Sequence, residues 1–392
     1  YYLSAEIARL QNKPKEIGNL LSTAKNKSKG NFKNQINLVV NFGKLYELQN
    51  QPNKVLSMAH NLVNQYPNEN SALSLLSGAQ MLNKQIKAAE ETLKKLIYLD
   101  KQDIQHRLTL SQLLLSQQDN EQEILSLLNE ISTIAPNDPK VLARKADFLI
   151  QLKHYKKALQ LATKIKEIAP DSGIAQIIEG EVYLAEKKLD QAIAVFKQSN
   201  NIRKNGKILS IISDILIATG KHAAAIEFLN KELTKDNTNL AAHFKLATLY
   251  EQQQNLIKSE NHYKIILALK PDNAIVLNNL AWLYHQQNNP KAIRLSKQAY
   301  NLSPETADIA DTYGTILIKQ GMLKQGIKAL KKATALAPTS YNIKYHLAKA
   351  YSVNNDQNQA IKILKDIVKT EYDFAEKNAA KILLDKLKEN QN

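Results

Sequence analysis

Six of the ten prolines of this 392-residue chain stand at Pro67, Pro136, Pro170, Pro271, Pro304 and Pro338, separated by 69, 34, 101, 33 and 34 residues. Each gap is a multiple of 34 to within one residue. Lys101, Lys204, Asn237 and Tyr372 keep the same phase without a proline. Proline has no N–H to give and clashes with the preceding turn inside a helix, so a fixed proline phase marks a fixed helix boundary. Pro14, Pro52 and Pro290 fall near the middle of a unit, where a second boundary is needed. An internal period of this length restricts the chain to a repeat architecture.

Within each unit two apolar stretches recur at helical spacing. Over 272–304, Leu277, Leu280, Ala281 and Tyr284 fall at i, i+3, i+4 and i+7; a polar Gln-Gln-Asn-Asn run interrupts, and Ala292, Leu295, Ala299 and Leu302 form a second stripe. Helices of about 14–16 residues, roughly 21–24 Å long, follow. Neither buries its stripe alone; two antiparallel helices stacked on neighbouring pairs do. From 238 onward the pattern predicts helices at 239–253, 256–268, 272–287, 290–301, 305–320, 322–335, 340–354, 356–369 and 373–388. The last of these, carrying Ala375, Ala379, Ile382, Leu383 and Leu387, reads as a cap.

Small residues recur early in the first helix at Gly43, Gly180, Ala247, Ala281, Gly314 and Ala348. Tyrosine follows three residues later at Tyr46, Tyr183, Tyr250, Tyr284 and Tyr351. Ala158, Ala192, Ala225, Ala292 and Ala360 hold a small position in the second helix. This pattern resembles the tetratricopeptide repeat (TPR). The resemblance implies an all-α fold, a right-handed TPR superhelix (α-solenoid) of about eleven helix–turn–helix units. The expected organisation is one continuous array over 1–392: a truncated repeat at 1–33, more degenerate repeats at 34–237, regular ones at 238–372 and a cap helix at 373–392. Looser packing is expected at 102–136, where Ser111-Gln112 replaces the usual Leu-Gly, and at 203–237, with Ile212-Ser213 and a polar junction.

Chemistry is hard to find in the chain. With no cysteine there is no disulfide, thiolate metal site or cysteine nucleophile. None of the eight histidines has ligand spacing on one helix face; His243 and His262 lie on different helices of one unit, within reach of each other. No nucleophile elbow, phosphate loop or dinucleotide fingerprint appears. The expectation is a non-catalytic protein with no metal and no cofactor.

The face of the first helices that points away from the second helices is the candidate binding surface. Over 241–353 it carries Phe244, Thr248, Asn278, Trp282, His285, Asp308, Asp311, Thr315, Tyr345, Lys349 and Ser352, with Trp282 the only tryptophan. Aromatic anchors among amide, acid and base groups suit a protein or peptide ligand, and we take Phe244, Asn278, Trp282, His285, Asp308, Asp311, Tyr345 and Lys349 as the partner-binding groove. A net charge of +16, from 53 Lys and Arg against 37 Asp and Glu, adds an acidic polysaccharide or anionic membrane surface as alternative partners. The basic clusters are Lys25-Lys27-Lys29-Lys33, Lys153-Lys156-Lys157, Arg203-Lys204-Lys207 and Lys324-Lys328-Lys331-Lys332. They lack the stacking aromatics of nucleic-acid modules, so no nucleic acid is expected.

The last third carries further strings: Leu277-Asn278-Asn279-Leu280-Ala281-Trp282-Leu283-Tyr284, Asn289-Pro290-Lys291-Ala292, Asp311-Thr312-Tyr313-Gly314, and Phe374-Ala375-Glu376 leading into Ala379-Ala380-Lys381-Ile382-Leu383-Leu384. Their order resembles the C-terminal region of the TPR lipoproteins of bacterial PEP-CTERM/exosortase systems, the PrsT-like group. That resemblance implies a scaffold of the cell envelope, periplasmic and lipid-anchored, linked to exopolysaccharide export or protein sorting, with its lipoprotein signal upstream of Tyr1. The alternative is a cytoplasmic TPR adaptor.

Overall fold

The computed structural model describes residues 18–23, 32–48, 51–117, 120–203 and 205–389. The truncated repeat expected at 1–33 lies largely outside them, as do Lys25, Lys27, Lys29 and Lys204 of the basic clusters. The chain divides into two compact units, Tyr1–Ile202 and Arg203–Asn392. The division falls within the polar junction that the sequence singles out, Asn200 to Asn205.

The first unit runs α1 (Phe32–Leu48), α2 (Pro52–Gln65), α3 (Asn70–Leu82), α4 (Ile86–Leu99), α5 (Ile104–Ser116), α6 (Glu121–Ile134), α7 (Pro139–Gln151), α8 (Tyr155–Ile168), α9 (Ile174–Ala185) and α10 (Leu189–Ile202). The second runs α11 (Gly206–Ala218), α12 (His222–Lys235), α13 (Leu240–Gln252), α14 (Leu256–Leu269), α15 (Ala274–Gln286), α16 (Lys291–Leu302), α17 (Ala307–Lys319), α18 (Leu323–Leu336), α19 (Tyr341–Val353), α20 (Gln357–Val368) and α21 (Lys377–Glu389). Among the described residues there is no strand. Each unit is thus a stack of helical hairpins, the all-α repeat architecture that the period demands. No helix is long and apolar enough to cross a membrane among the described residues.

The proline phase has a direct structural cause. Tyr66, Ala135, Ala169, Lys270, Ser303 and Ala337 are the residues that close a second helix, and each immediately precedes one of the six phase-keeping prolines. Proline stops the helix there because it pushes the residue before it out of helical backbone. Two residues further on, Asp138, Asn273 and Ser340 cap the next first helix, their side chains accepting from the N–H of Val141, Val276 and Ile343.

The inner turns repeat as strictly. One residue in left-handed backbone follows each first helix from α3 to α19, at Lys84, Asn120, Lys153, Lys187, Gly220, Gln254, Asn288, Gly321 and Asn355. The step is 33 or 34 residues, apart from 36 between Lys84 and Asn120. In eight of these turns the next residue's N–H closes a six-residue ring, as His154 to the carbonyl of Leu149 (2.7 Å) and Asn289 to that of Tyr284 (2.8 Å). The longer step falls within 102–136, where looser packing is expected.

As expected, the hairpin of α11 and α12 is the most sparsely packed of the described ones, and α6 meets α7 more sparingly than any other successive pair within a unit; the small positions there are nonetheless closed. Ser77, Ser111 and Ser213 occupy the small first-helix position and are buried, the latter two completely. Each hydroxyl donates to a carbonyl of its own helix: Ser77 to Ser74 (2.9 Å), Ser111 to Arg107 (2.9 Å) and Ser213 to Leu209 (2.8 Å). With its hydrogen bond met locally, serine serves as a small packing residue at little cost. Elsewhere Ala247, Ala281, Ala348, Ala158, Ala192, Ala225 and Ala360 are fully buried. A Cβ on Gly180 would stand 2.4 Å from the Phe196 ring, so the helices of that hairpin meet closer than any side chain allows.

The described helices from 238 on begin and end within two residues of the sequence reading, except at the cap. There α21 starts at Lys377 and buries Ala380, Leu384 and Leu387, while Ile382 is 70% exposed and Ala375 lies outside the helix. A start four residues later leaves 371–376 as irregular chain, which carries Glu376 against α19.

Candidate functional site

Three successive first helices of the second unit, α15, α17 and α19, share one exposed face. On α15 the residues Asn278, Trp282 and His285 follow at i, i+4 and i+7, and on α19 Asn342, His346, Lys349 and Val353 do the same over three turns. A cavity of about 670 Å³ opens on this face. Its walls are Trp282 and His285 from α15, Thr315, Ile318 and Lys319 from α17, and Tyr345, His346, Lys349, Ala350 and Val353 from α19. Leu330 of α18 and Glu376 complete it. Volume and mixed lining are those of a small-ligand or side-chain pocket.

Two polar arrangements order the walls. The His346 Nδ1 lies 2.8 and 3.0 Å from the two carboxylate oxygens of Asp311, and its Nε2 stands 3.8 Å from Glu376 Oε1. Burial pulls the His346 pKa down, but the Asp311 hydrogen bond and the charges of Asp311 and Glu376 outweigh it and hold it above the ordinary histidine value. His346 therefore takes up the charge of Asp311. At the other end the Trp282 and His285 rings tilt against each other with centroids 5.2 Å apart. Burial holds the His285 pKa low, and the nearby charges of Lys319, Lys349 and His346 add to it. Burial and the Glu376 charge raise the Tyr345 phenol.

The same face also holds buried polar atoms with no hydrogen-bond partner: Asn278 Oδ1, Thr315 Oγ1, Asn342 Oδ1 and Glu376 Oε2. Such atoms cost on the order of 1–3 kcal/mol each; three lie on α15, α17 and α19 and the fourth in the irregular chain before α21.

Of the sequence-selected groove, the cavity gathers Trp282, His285, Tyr345 and Lys349, together with Thr315. Asn278 is buried one turn before Trp282, and Asp311 stands behind His346 rather than in the wall. Asp308 is exposed in the first turn of α17, outside the lining. Phe244 lies apart: it packs edge-on against Tyr263, centroids 6.2 Å apart, and lines a second pocket of about 300 Å³ with Leu240, Lys245, Ile275 and Val276. Missed by sequence reasoning are Ile318, Lys319, His346, Val353 and Glu376. The i+4 steps from Thr315 to Lys319 and from Lys349 to Val353 carry a signal for two of them; Glu376 sits in irregular chain, where no periodicity points to it.

In the first unit the position held by Trp282 in α15 is Asp147 in α7 and Glu181 in α9. Burial and the Asp147 charge raise the Glu181 pKa to about 7. His243 and His262 do meet, Nδ1 to Nδ1 at 2.8 Å, with the His243 Nε2 donating to the carbonyl of Asn237 (2.9 Å). Among the described residues no three metal-ligating side chains converge.

Comparison with known proteins bears on the same segment. The tetratricopeptide repeat family profile matches residues 317–384. The TPR repeat-containing protein MJ1428 of Methanocaldococcus jannaschii is 31% identical over 126 residues, 30% of this chain and 21% of that protein. The TPR repeat-containing protein YpiA of Bacillus subtilis is 22% identical over 268 residues, 67% of this chain and 56% of that protein. Among solved structures, a chain of the APC/C hetero-tetramer Cut9–Hcn1 aligns at TM-score 0.47 and 16% identity, over 98% of this chain and 95% of that one. This chain spans between 21% and 56% of the length of the curated relatives it matches. Residues 317–384 thus match the tetratricopeptide repeat family, and the 34-residue phase with buried small residues at its fixed positions carries the same helical-hairpin architecture through the described residues.

Proposed function

We propose that this protein is a non-catalytic docking scaffold that takes protein or peptide partners on the first-helix face of its second unit. The observation that carries the reading is the cavity of about 670 Å³ that gathers the only tryptophan with Thr315, Tyr345 and Lys349 across three first helices. Aromatic surface supplies anchoring area, and the polar side chains of the lining, Lys319 and Lys349 among them, supply contacts that fix an incoming chain. A random-peptide display selection on the whole chain tests it. Enriched peptides are expected to bind the wild type and to lose at least about tenfold affinity for Trp282→Ala. Peptides that bind Trp282→Ala and Asn278→Ala as tightly as the wild type would sink the assignment.

A second reading, binding of an acidic polysaccharide or anionic membrane, draws on Lys324, Lys328 and Lys331, exposed along one face of α18. Retention on a polyanion that collapses between 50 and about 300 mM salt favours it, because exposed charges are screened over about 8–10 Å. For the docking scaffold itself we propose a place in the bacterial cell envelope, linked to exopolysaccharide export or protein sorting. Its support is the likeness of the strings between Leu277 and Leu384 to the PrsT-like lipoproteins. Fractionation of cells making the native protein decides between membrane-bound and cytoplasmic pools.

A further inference from the structure

Ser77, Ser111 and Ser213 each give their hydroxyl to a carbonyl of their own helix. The Ser74 hydroxyl of α3 reaches the next first helix instead, its Oγ 2.6 Å from His106 Nε2 on α5. The other ring nitrogen, His106 Nδ1, is bonded to Asp103 Oδ2. An ionised carboxylate only accepts, so the ring proton sits on Nδ1 and Nε2 accepts from Ser74. Asp103 caps α5, and its Oδ1 takes the His106 main-chain N–H at 2.8 Å, which holds the carboxylate at both oxygens. Burial opposes its charge, but those hydrogen bonds outweigh it and keep the Asp103 carboxyl below its ordinary range. The three side chains are ordered as nucleophile, base and orienting acid. Ser74 is half-buried, and the same face has room beside it. Gly78 follows by one turn, and a Cβ there would meet nothing within 4 Å. The packing position of α3 is filled by Ser77, so Gly78 is not needed for helix contact.

We propose that Ser74 is a nucleophile, with His106 its base and Asp103 positioning the ring, and that it takes an acyl group from an activated ester or thioester. The bond from Ser74 Oγ to the acyl carbon forms as the bond from that carbon to the leaving oxygen or sulfur breaks. The hydroxyl proton passes to His106 Nε2 and on to the departing group, so the imidazole ends neutral. Inside a helix the main-chain N–H groups are given to carbonyls four residues back, and α3 therefore offers none to a tetrahedral oxyanion. The donor must then carry a good leaving group, and the ester left on Ser74, which has a poor one, persists. The chain is modified once and turns nothing over. The site belongs to the first unit and does not rest on the docking reading.

The test treats the whole chain with p-nitrophenyl acetate and, separately, with an ethyl fluorophosphonate, which esterifies activated serines with loss of fluoride. Tandem mass spectrometry reads the adducts residue by residue. Both probes are expected to label Ser74 at least about a hundredfold faster than the exposed Ser71. His106→Gln should remove most of that advantage, slowing Ser74 by at least about thirtyfold. Asp103→Asn keeps a capping oxygen but presents an amide N–H to the ring, which reverses the tautomer. It should slow labelling by at least about tenfold with helicity unchanged. A helical side chain leans over the turn before its own Cα, so Gly78→Leu should cover Ser74 and slow labelling by about tenfold while the helix is retained. A merely structural tie between α3 and α5 would leave Ser74 no faster than Ser71. That result, or labelling indifferent to His106→Gln or to Gly78→Leu, overturns the proposal, and the docking face of the second unit stands or falls separately.

Discussion

Gly314 and Gly326 meet backbone to backbone: a Cβ built on either would stand 3.0 Å from the other's carbonyl oxygen. The contact joins α17, which carries Thr315 and Lys319 into the cavity, to α18 behind it. On Gly314 the added carbon would also lie 3.1 Å from the Leu330 N and 2.7 Å from its Cγ, so the neighbour that must yield is partly main chain. Gly314→Ala is expected to destabilise the second unit by about 1–3 kcal/mol, the cost of overpacking a closed core. Urea unfolding followed by circular dichroism measures it; a loss below about 0.5 kcal/mol contradicts so close an approach.

The inner turns make an opposite prediction. Lys153 sits at φ 62° and Gly321 at φ 77°, equivalent positions in two hairpins. A Cβ at Gly321 would touch nothing within 4 Å, so only backbone conformation is at stake there. Lys153→Gly should stabilise by about 0.5–1 kcal/mol and Gly321→Ala destabilise by a similar amount. Thermal melts of the pair, with shifts of opposite sign, are the check.

His262 supplies a pH dependence. Burial lowers its pKa to about 4, and the charges of His243 and Lys258 act in the same direction. A histidine whose folded pKa lies below its unfolded value of 6.5 stabilises the fold above 6.5, and that contribution is lost as pH falls toward 4. The urea midpoint of the wild type should therefore drop between pH 7 and pH 4.5. In His262→Gln that part of the drop should be absent.

Glu181 works in the other direction. Its pKa of about 7 lies above the ordinary 4.5, so ionisation is opposed in the folded chain, and the first unit loses stability as pH rises from 4.5 through 7. Glu181→Gln removes the buried charge and should stabilise the chain by about 1–2 kcal/mol at pH 8 while changing little at pH 4. Denaturant titrations at both pH values distinguish this from a packing effect, which would be the same at each.

Much of this protein is legible in its residues. The prolines after Tyr66, Ala135, Ala169, Lys270, Ser303 and Ala337 end second helices, and the stripes in 272–304 build the hairpin between two of those stops. Such features are local: backbone sterics and a 3.6-residue period act within a few residues, so a linear string carries them in full. The degenerate stretches are half legible for the same reason: their sparser packing shows in the string, but Ser111 and Ser213 look polar there, and only the helix carbonyl beside each makes them packing residues.

The site is different. Helical spacing alone puts Trp282 and His285 on one face of α15 and Lys349 and Val353 on one face of α19. It does not say that Glu376 arrives from irregular chain, that His346 takes the charge of Asp311, or that Phe244 belongs to another pocket. Those facts depend on which helices become neighbours and on how far α21 is displaced from its expected start. Charge pairing and cavity shape are set by distances between residues remote in the chain, and those distances exist only once the hairpins have stacked.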